Sequence, residues 1–197
     1  MNIPNKLTFF RIVLVPVLCL VWLFPYDAFG ISISSLTIGH VTLPVLNLVV
    51  LAIFIIASFT DYLDGNIARK YNLVTNFGKF ADPIADKMLV NMMLIIMCYK
   101  HMIPVLCCIL MILRDIVVDG CRMIAAEYDE VISAGMLGKL KTTLQMITIS
   151  LILLNNLPFE LWYIPLDDVL IWFTTFISLA GGYSYFMQTK DYIFESM

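Results

Sequence analysis

Six times between residues 7 and 187 the chain runs through about twenty residues dominated by Leu, Ile, Val, Met and Phe, and that recurrence leaves few folds open. A helix rises about 1.5 Å per residue, so ~20 apolar residues match the hydrocarbon thickness of a bilayer. Backbone placed in lipid must also satisfy its own hydrogen bonds, which favours helices over open strands. The runs fall at 7–24, 43–62, 77–99, 102–121, 137–155 and 169–187. Composition agrees: 61% of the 197 residues are hydrophobic and 14% charged, against roughly half and a quarter in soluble chains. The mean hydropathy is +0.91. The expectation is an all-α membrane protein with six transmembrane helices, forming a single integral membrane domain over residues 1–197.

Pro25 and the stretch from Gly30 to Gly39 mark one connection between spans, and Asn155-Asn156-Leu157-Pro158 another. No internal repeat and no separate soluble domain is visible. The first run lacks a small-x-small cleavage site and is followed by further runs, so no cleavable leader is expected. Of the 12 Lys and Arg residues, all but Lys100 fall on one side of the membrane under the six-span reading. Positive residues favour cytoplasmic loops, so both termini are expected in the cytoplasm. The five cysteines, Cys19, Cys98, Cys107, Cys108 and Cys121, lack metal-site spacing and read as small apolar residues. His40 and His101 stand apart and are expected in loops.

Against this background Asp61, Asp64, Asp82 and Asp86 stand out. A carboxylate near hydrocarbon is costly unless compensated, so intramembrane acids are functional candidates. Asp61 and Asp64 are three apart and share a helical face, and Asp82 and Asp86, four apart, do the same on the next helix. Four converging carboxylates repel one another unless a cation lies between them. Oxygen-only ligation without nearby Cys or His selects Mg²⁺, Mn²⁺ or Ca²⁺ over zinc. Four acids suffice for two ions, an arrangement that clamps phosphoryl oxygens during displacement. Gly65 and Gly78 leave room for a phosphate at the backbone, Ala68 is small, and Arg69 suits a bidentate phosphate grip. The bland alternative is that acids at a membrane edge are solvated helix ends and that glycines there serve packing.

Residues 61–86 satisfy every position of DxxDGxxAR-x8-GxxxDxxxD, and in this the chain resembles the CDP-alcohol phosphotransferase family. The resemblance implies a six-helix bundle with its site at the cytoplasmic face and Mg²⁺ or Mn²⁺ as cofactor, two ions being the expected number. It implies transfer of a phosphatidyl-type group from a CDP-activated donor to an alcohol, with release of CMP. It further implies Asp61, Asp64 and Asp82 as metal ligands, with Asp86 as general base and further metal contact. The donor surface it implies comprises those three acids with Gly65, Ala68, Arg69 and Gly78, joined by Asn5, Thr8, Thr75 and Lys79 from flanking stretches.

Those flanks are similar to bacterial phosphatidylglycerophosphate synthases: residues 2–11 match NxPNxxTxxR, and residues 72–79, 82–87 and 138–142 are similar too. The resemblance implies CDP-diacylglycerol and glycerol 3-phosphate as substrates in phospholipid biosynthesis, a homodimer, and a multi-pass bacterial plasma-membrane location among membrane lipids. No nucleic-acid partner is expected. Arg114, Arg122, Lys139 and Lys141 flank the fourth and fifth spans, and four cations at the membrane edge suit the phosphate of a small acceptor. The alternative is that they orient helices and touch lipid headgroups. Phosphatidylglycerol, serine or inositol phosphate remain open as acceptors. A rival of another class is a divalent-cation channel or transporter, which would spread acids through the membrane depth. Two local features depart from the pattern: Asp115 follows Arg114 where the subfamily has Glu, and Asp119 is expected to pair with Arg122 three residues on.

Overall fold

The computed structural model describes residues 2–71, 75–128 and 135–195, with the side chains at 3, 4, 62, 64, 66–70, 76, 77, 79, 80, 82, 83, 194 and 195 outside that description. Among the described residues the architecture is six α-helices: α1 (Ile3–Leu23), α2 (Val45–Lys70), α3 (Asn76–Tyr99), α4 (Val105–Glu127), α5 (Met136–Leu153) and α6 (Leu166–Glu195). At 30 residues, α6 extends for about 45 Å. Helix ends follow local chemistry. The Asn2 side chain accepts from the Asn5 amide at 3.1 Å to cap α1, and Thr75 caps α3 by accepting from the Gly78 amide at 3.0 Å. Asp167 and Asp168 occupy the first turn of α6, where the helix dipole favours negative charge. After α5 the chain turns through Asn155 and Asn156, both at positive φ, a conformation asparagine tolerates better than most residues.

The helices pack as two groups. α1 lies along α2 and α3, α6 lies along α4 and α5, and α2–α5 and α3–α4 contacts join the groups. The inward face of α1 recurs every three or four residues as Asn5, Thr8, Arg11, Val15, Leu18 and Trp22, all buried. The apolar core continues through Phe54, Met93, Met97, Met111 and Leu153.

Burial is inverted relative to a soluble protein. Leu20 (71% exposed), Ile116 (61%) and Phe176 (67%) face outward, while Arg11 (0%), Gln145 (2%) and Thr174 (0%) lie inside. Such a surface would be a large apolar patch in water, but it matches a hydrocarbon solvent. Between helices in lipid the hydrophobic effect gives little, so close packing and interhelical polar contacts carry the association. One such contact joins Thr148 of α5 to Thr174 of α6 at 3.0 Å. Among the described residues, Asn5–Leu23, Met136–Leu153 and Leu166–Ile193 are long and apolar enough to cross a membrane. Val45–Asp61 is a shorter apolar stretch, and α3 and α4 carry charges toward one end.

The departure from the all-helical expectation is a hairpin, β1 (Ser35–Ile38) with β2 (Val41–Pro44), antiparallel with Ile38 opposite Val41. Its turn places Gly39 at φ 65°, and a Cβ there would lie 3.0 Å from Leu161 Cδ2. His40 stacks on Tyr163 with centroids 4.6 Å apart, and Asn155 Nδ2 donates to the Thr42 carbonyl at 2.7 Å. The hairpin therefore fastens the α1–α2 connection to the α5–α6 connection. All five cysteines are free thiols.

Candidate active site

Asp61 and Asp64 lie in α2 and Asp82 and Asp86 in α3, on helices that pack together. The side chains of Asp64, Ala68, Arg69, Lys79 and Asp82 fall outside the described residues. Asp61 and Asp86 are described. Asp61 is ion-paired with Arg11, whose side chain is wholly buried in α1. Asp86 is half-buried and within electrostatic range of Asp61 and Arg11 on one side and of Lys141 and Asp115 on the other. Among the described residues no three His, Cys, Asp or Glu side chains group as metal ligands; half of the four predicted metal acids lie outside that set. In chemistry the donor set is hard oxygen throughout, which fits Mg²⁺ or Mn²⁺.

Three of the expected donor-site residues meet. Thr75 Oγ1 donates to Asn5 Oδ1 at 2.9 Å while accepting from the Gly78 amide, tying the start of α1 to the start of α3. Thr8 is buried one turn further along α1, and Gly65 is half-buried in α2.

All four predicted acceptor cations line a single cavity of ≈ 190 Å³ together with Asp86. They differ in depth. Lys141 and Arg114 are buried and share Asp115: Lys141 Nζ donates to its two oxygens at 3.0 and 2.9 Å, and Arg114 Nη1 donates at 2.9 Å. Arg114 Nε donates to the Ser178 carbonyl at 2.9 Å, and its Nη2 is buried with no hydrogen-bond partner. Lys139 and Arg122 are exposed at the rim. The two-residue spacing of Lys139 and Lys141 thus places one at the mouth and one at the floor.

The i,i+3 pairing expected between Asp119 and Arg122 does not form. Asp119 instead receives Lys87 from α3, and Arg122 Nη2 donates to Tyr185 Oη at 2.9 Å. Contact across helices wins over local spacing here: Lys87 comes from α3 and Tyr185 from α6. Asp115, Lys87 and Tyr185 were missed as site residues, and so was the hold of Arg11 on Asp61. For Arg11 a signal existed: Asn5, Thr8 and Arg11 repeat at three-residue spacing, a polar stripe on an otherwise apolar helix.

The bundle is apolar on its outer surface, and its cavity sets Asp86 and Asp115 among five cations, Lys87, Arg114, Arg122, Lys139 and Lys141. The family model of CDP-alcohol phosphatidyltransferase matches residues 1–180, and the chain belongs to that family. It is 45% identical over 190 residues, 96% of each chain, to the CDP-diacylglycerol–glycerol-3-phosphate 3-phosphatidyltransferase of Bacillus subtilis (strain 168). A relative of the same name from Rickettsia bellii (strain RML369-C) is 35% identical over 192 residues, 97% of each chain. Another, from Salmonella choleraesuis (strain SC-B67), is 35% identical over 156 residues, 77% of this chain and 76% of its own.

Proposed function

We propose that this chain transfers the phosphatidyl group of CDP-diacylglycerol to glycerol 3-phosphate, giving phosphatidylglycerophosphate and CMP. The observation that carries the reading is the cavity in which Asp86 faces Arg114, Arg122, Lys139 and Lys141, and the names of relatives covering nearly the whole chain support it. In this reading the cations hold the acceptor phosphate, with Lys139 and Arg122 meeting it at the rim and Lys141 below. Asp86 takes the proton of the acceptor hydroxyl as its oxygen bonds to the lipid-bearing phosphorus and the bond to CMP breaks. Asp61, Asp64, Asp82 and Asp86 would hold Mg²⁺ or Mn²⁺, two ions being the expected number, and the bound metal would supply positive charge against the pyrophosphate and the departing CMP. Asn5, Thr8, Gly65, Ala68, Arg69, Thr75, Gly78 and Lys79 form the donor surface beside them.

Six helices cross the bacterial plasma membrane in this account, with both termini and the site on the cytoplasmic side, where Lys and Arg concentrate. The working form is a homodimer. The test is turnover of labelled CDP-diacylglycerol by purified protein with glycerol 3-phosphate, phosphatidylglycerol, serine and inositol phosphate in parallel. Preferential use of glycerol 3-phosphate is expected; equal or faster transfer to phosphatidylglycerol would overturn the acceptor assignment.

A further inference from the structure

Arg114 lies against a glycine pair on the neighbouring helix. A Cβ built on Gly182 would sit 2.8 Å from Arg114 Cγ, and one on Gly181 would sit 3.0 Å from Arg114 Nη2. Both glycines are helical and buried, so neither is needed for its backbone conformation. What they supply is space, at the one place where α6 meets the arginine side chain broadside. The arginine cannot easily yield. It is buried, its Nε is held by the Ser178 carbonyl one turn back on α6, and its Nη1 is held by Asp115.

We infer that Gly181 and Gly182 are positioning residues: they form a slot on α6 that sets how deep the Arg114 guanidinium lies in the acceptor cavity, and so tune affinity for a phosphorylated acceptor. Three observations converge on this. Only a residue without a side chain leaves room for Arg114 Cγ at position 182. The arginine so placed keeps one buried nitrogen, Nη2, with neither of its N–H groups paired to a protein acceptor, and a buried donor left unpaired is costly until an acceptor arrives. Finally, Arg114 and Asp86 line the same cavity. An added methyl at 182 pushes either the arginine or α6 away, and both movements break the Arg114–Ser178 bond.

The inference rests on the proposed acceptor, and the experiment separates the two. Gly182→Ala, Gly181→Ala and Gly120→Ala are purified in detergent; a Cβ at Gly120 meets nothing within 4 Å. KM for glycerol 3-phosphate, KM for CDP-diacylglycerol, kcat and the thermal midpoint are measured for each. The expected result is that KM for glycerol 3-phosphate rises about ten- to a hundredfold in Gly182→Ala and less in Gly181→Ala, while donor KM stays within about twofold. Gly120→Ala should match the unaltered protein. Should Gly182→Ala fail to fold, Gly181→Ala carries the test, because its clash is milder, 3.0 Å rather than 2.8 Å, and falls on the unpartnered Nη2. Unaltered protein that uses glycerol 3-phosphate beside folded variants with unchanged acceptor KM overturns the inference alone. A rise in donor KM equal to that in acceptor KM also overturns it. Unaltered protein that ignores glycerol 3-phosphate overturns the functional reading and the inference together.

Discussion

Arg11 of α1, wholly buried, ion-pairs with Asp61 of α2 across fifty positions of sequence. The first acid of the signature is therefore held by a residue of a different helix, the apolar N-terminal one. Buried ion pairs broken on one side typically lose roughly 3–5 kcal/mol. Because the Asp61 side chain is 40% exposed, Arg11→Met should lose less, about 1–3 kcal/mol. The variant should melt earlier in detergent and turn over at least about tenfold more slowly, with Arg11→Lys between it and the unaltered protein. Equal melting and turnover across the three would show that the pair does not organise Asp61.

Asp86 shares a cavity with the acceptor cations, as does Asp115, and of these two acids Asp86 belongs to the signature. Asp86→Asn preserves shape but cannot take a proton, and loss of a general base typically costs about 10²–10⁴ in rate. Donor binding, followed by equilibrium binding of CDP-diacylglycerol in detergent, should remain within a few fold. CMP release at the unaltered rate would remove Asp86 from the proton-transfer role.

Asp115 compensates two buried cations at once, Arg114 and Lys141. Its removal leaves two charges in a low-dielectric interior, so Asp115→Ala should destabilise the protein by roughly 3–5 kcal/mol. Asp115→Glu keeps the charge with longer reach and should retain most stability while shifting acceptor KM. A thermal midpoint for Asp115→Ala equal to that of unaltered protein would contradict the compensating role.

The oxygen-only acids predict the metal response. Chelation should abolish CMP release, and Mg²⁺ or Mn²⁺ should restore it, because hard ligands favour these ions. Full activity in excess chelator would show that the acids do not act through a divalent ion.

Much of this was readable in the chain. The apolar runs located all six helices, since ~20-residue runs leave little freedom, but α2, α4 and α6 continue six to eight residues past the expected ends into polar sequence. Asp86 and the basic quartet were singled out from the chain, and they line one cavity. What escaped depends on partners distant in sequence. Asp119 has a suitable cation three residues away, yet its partner is Lys87 on another helix, and no local spacing encodes that choice. Asp115 looked like a shortened glutamate, but its place between Arg114 and Lys141 follows from the packing of both α4 and α5 against α6. The hairpin at 35–44 straddled a stretch read as a connection and the start of a span read from residue 43, because its strands are four residues each and its anchors, Leu161, Tyr163 and Asn155, come from more than a hundred positions later.

The central claim is that the cavity beside Asp86 receives the phosphate of the acceptor. The most direct measurement is the acceptor and donor KM of Lys139→Gln and Arg122→Gln, the exposed rim cations that can be neutralised without burying an unpaired charge. The account predicts that KM for glycerol 3-phosphate rises about tenfold or more in each while KM for CDP-diacylglycerol is unmoved. Unchanged acceptor KM, or a loss confined to the donor, would contradict it.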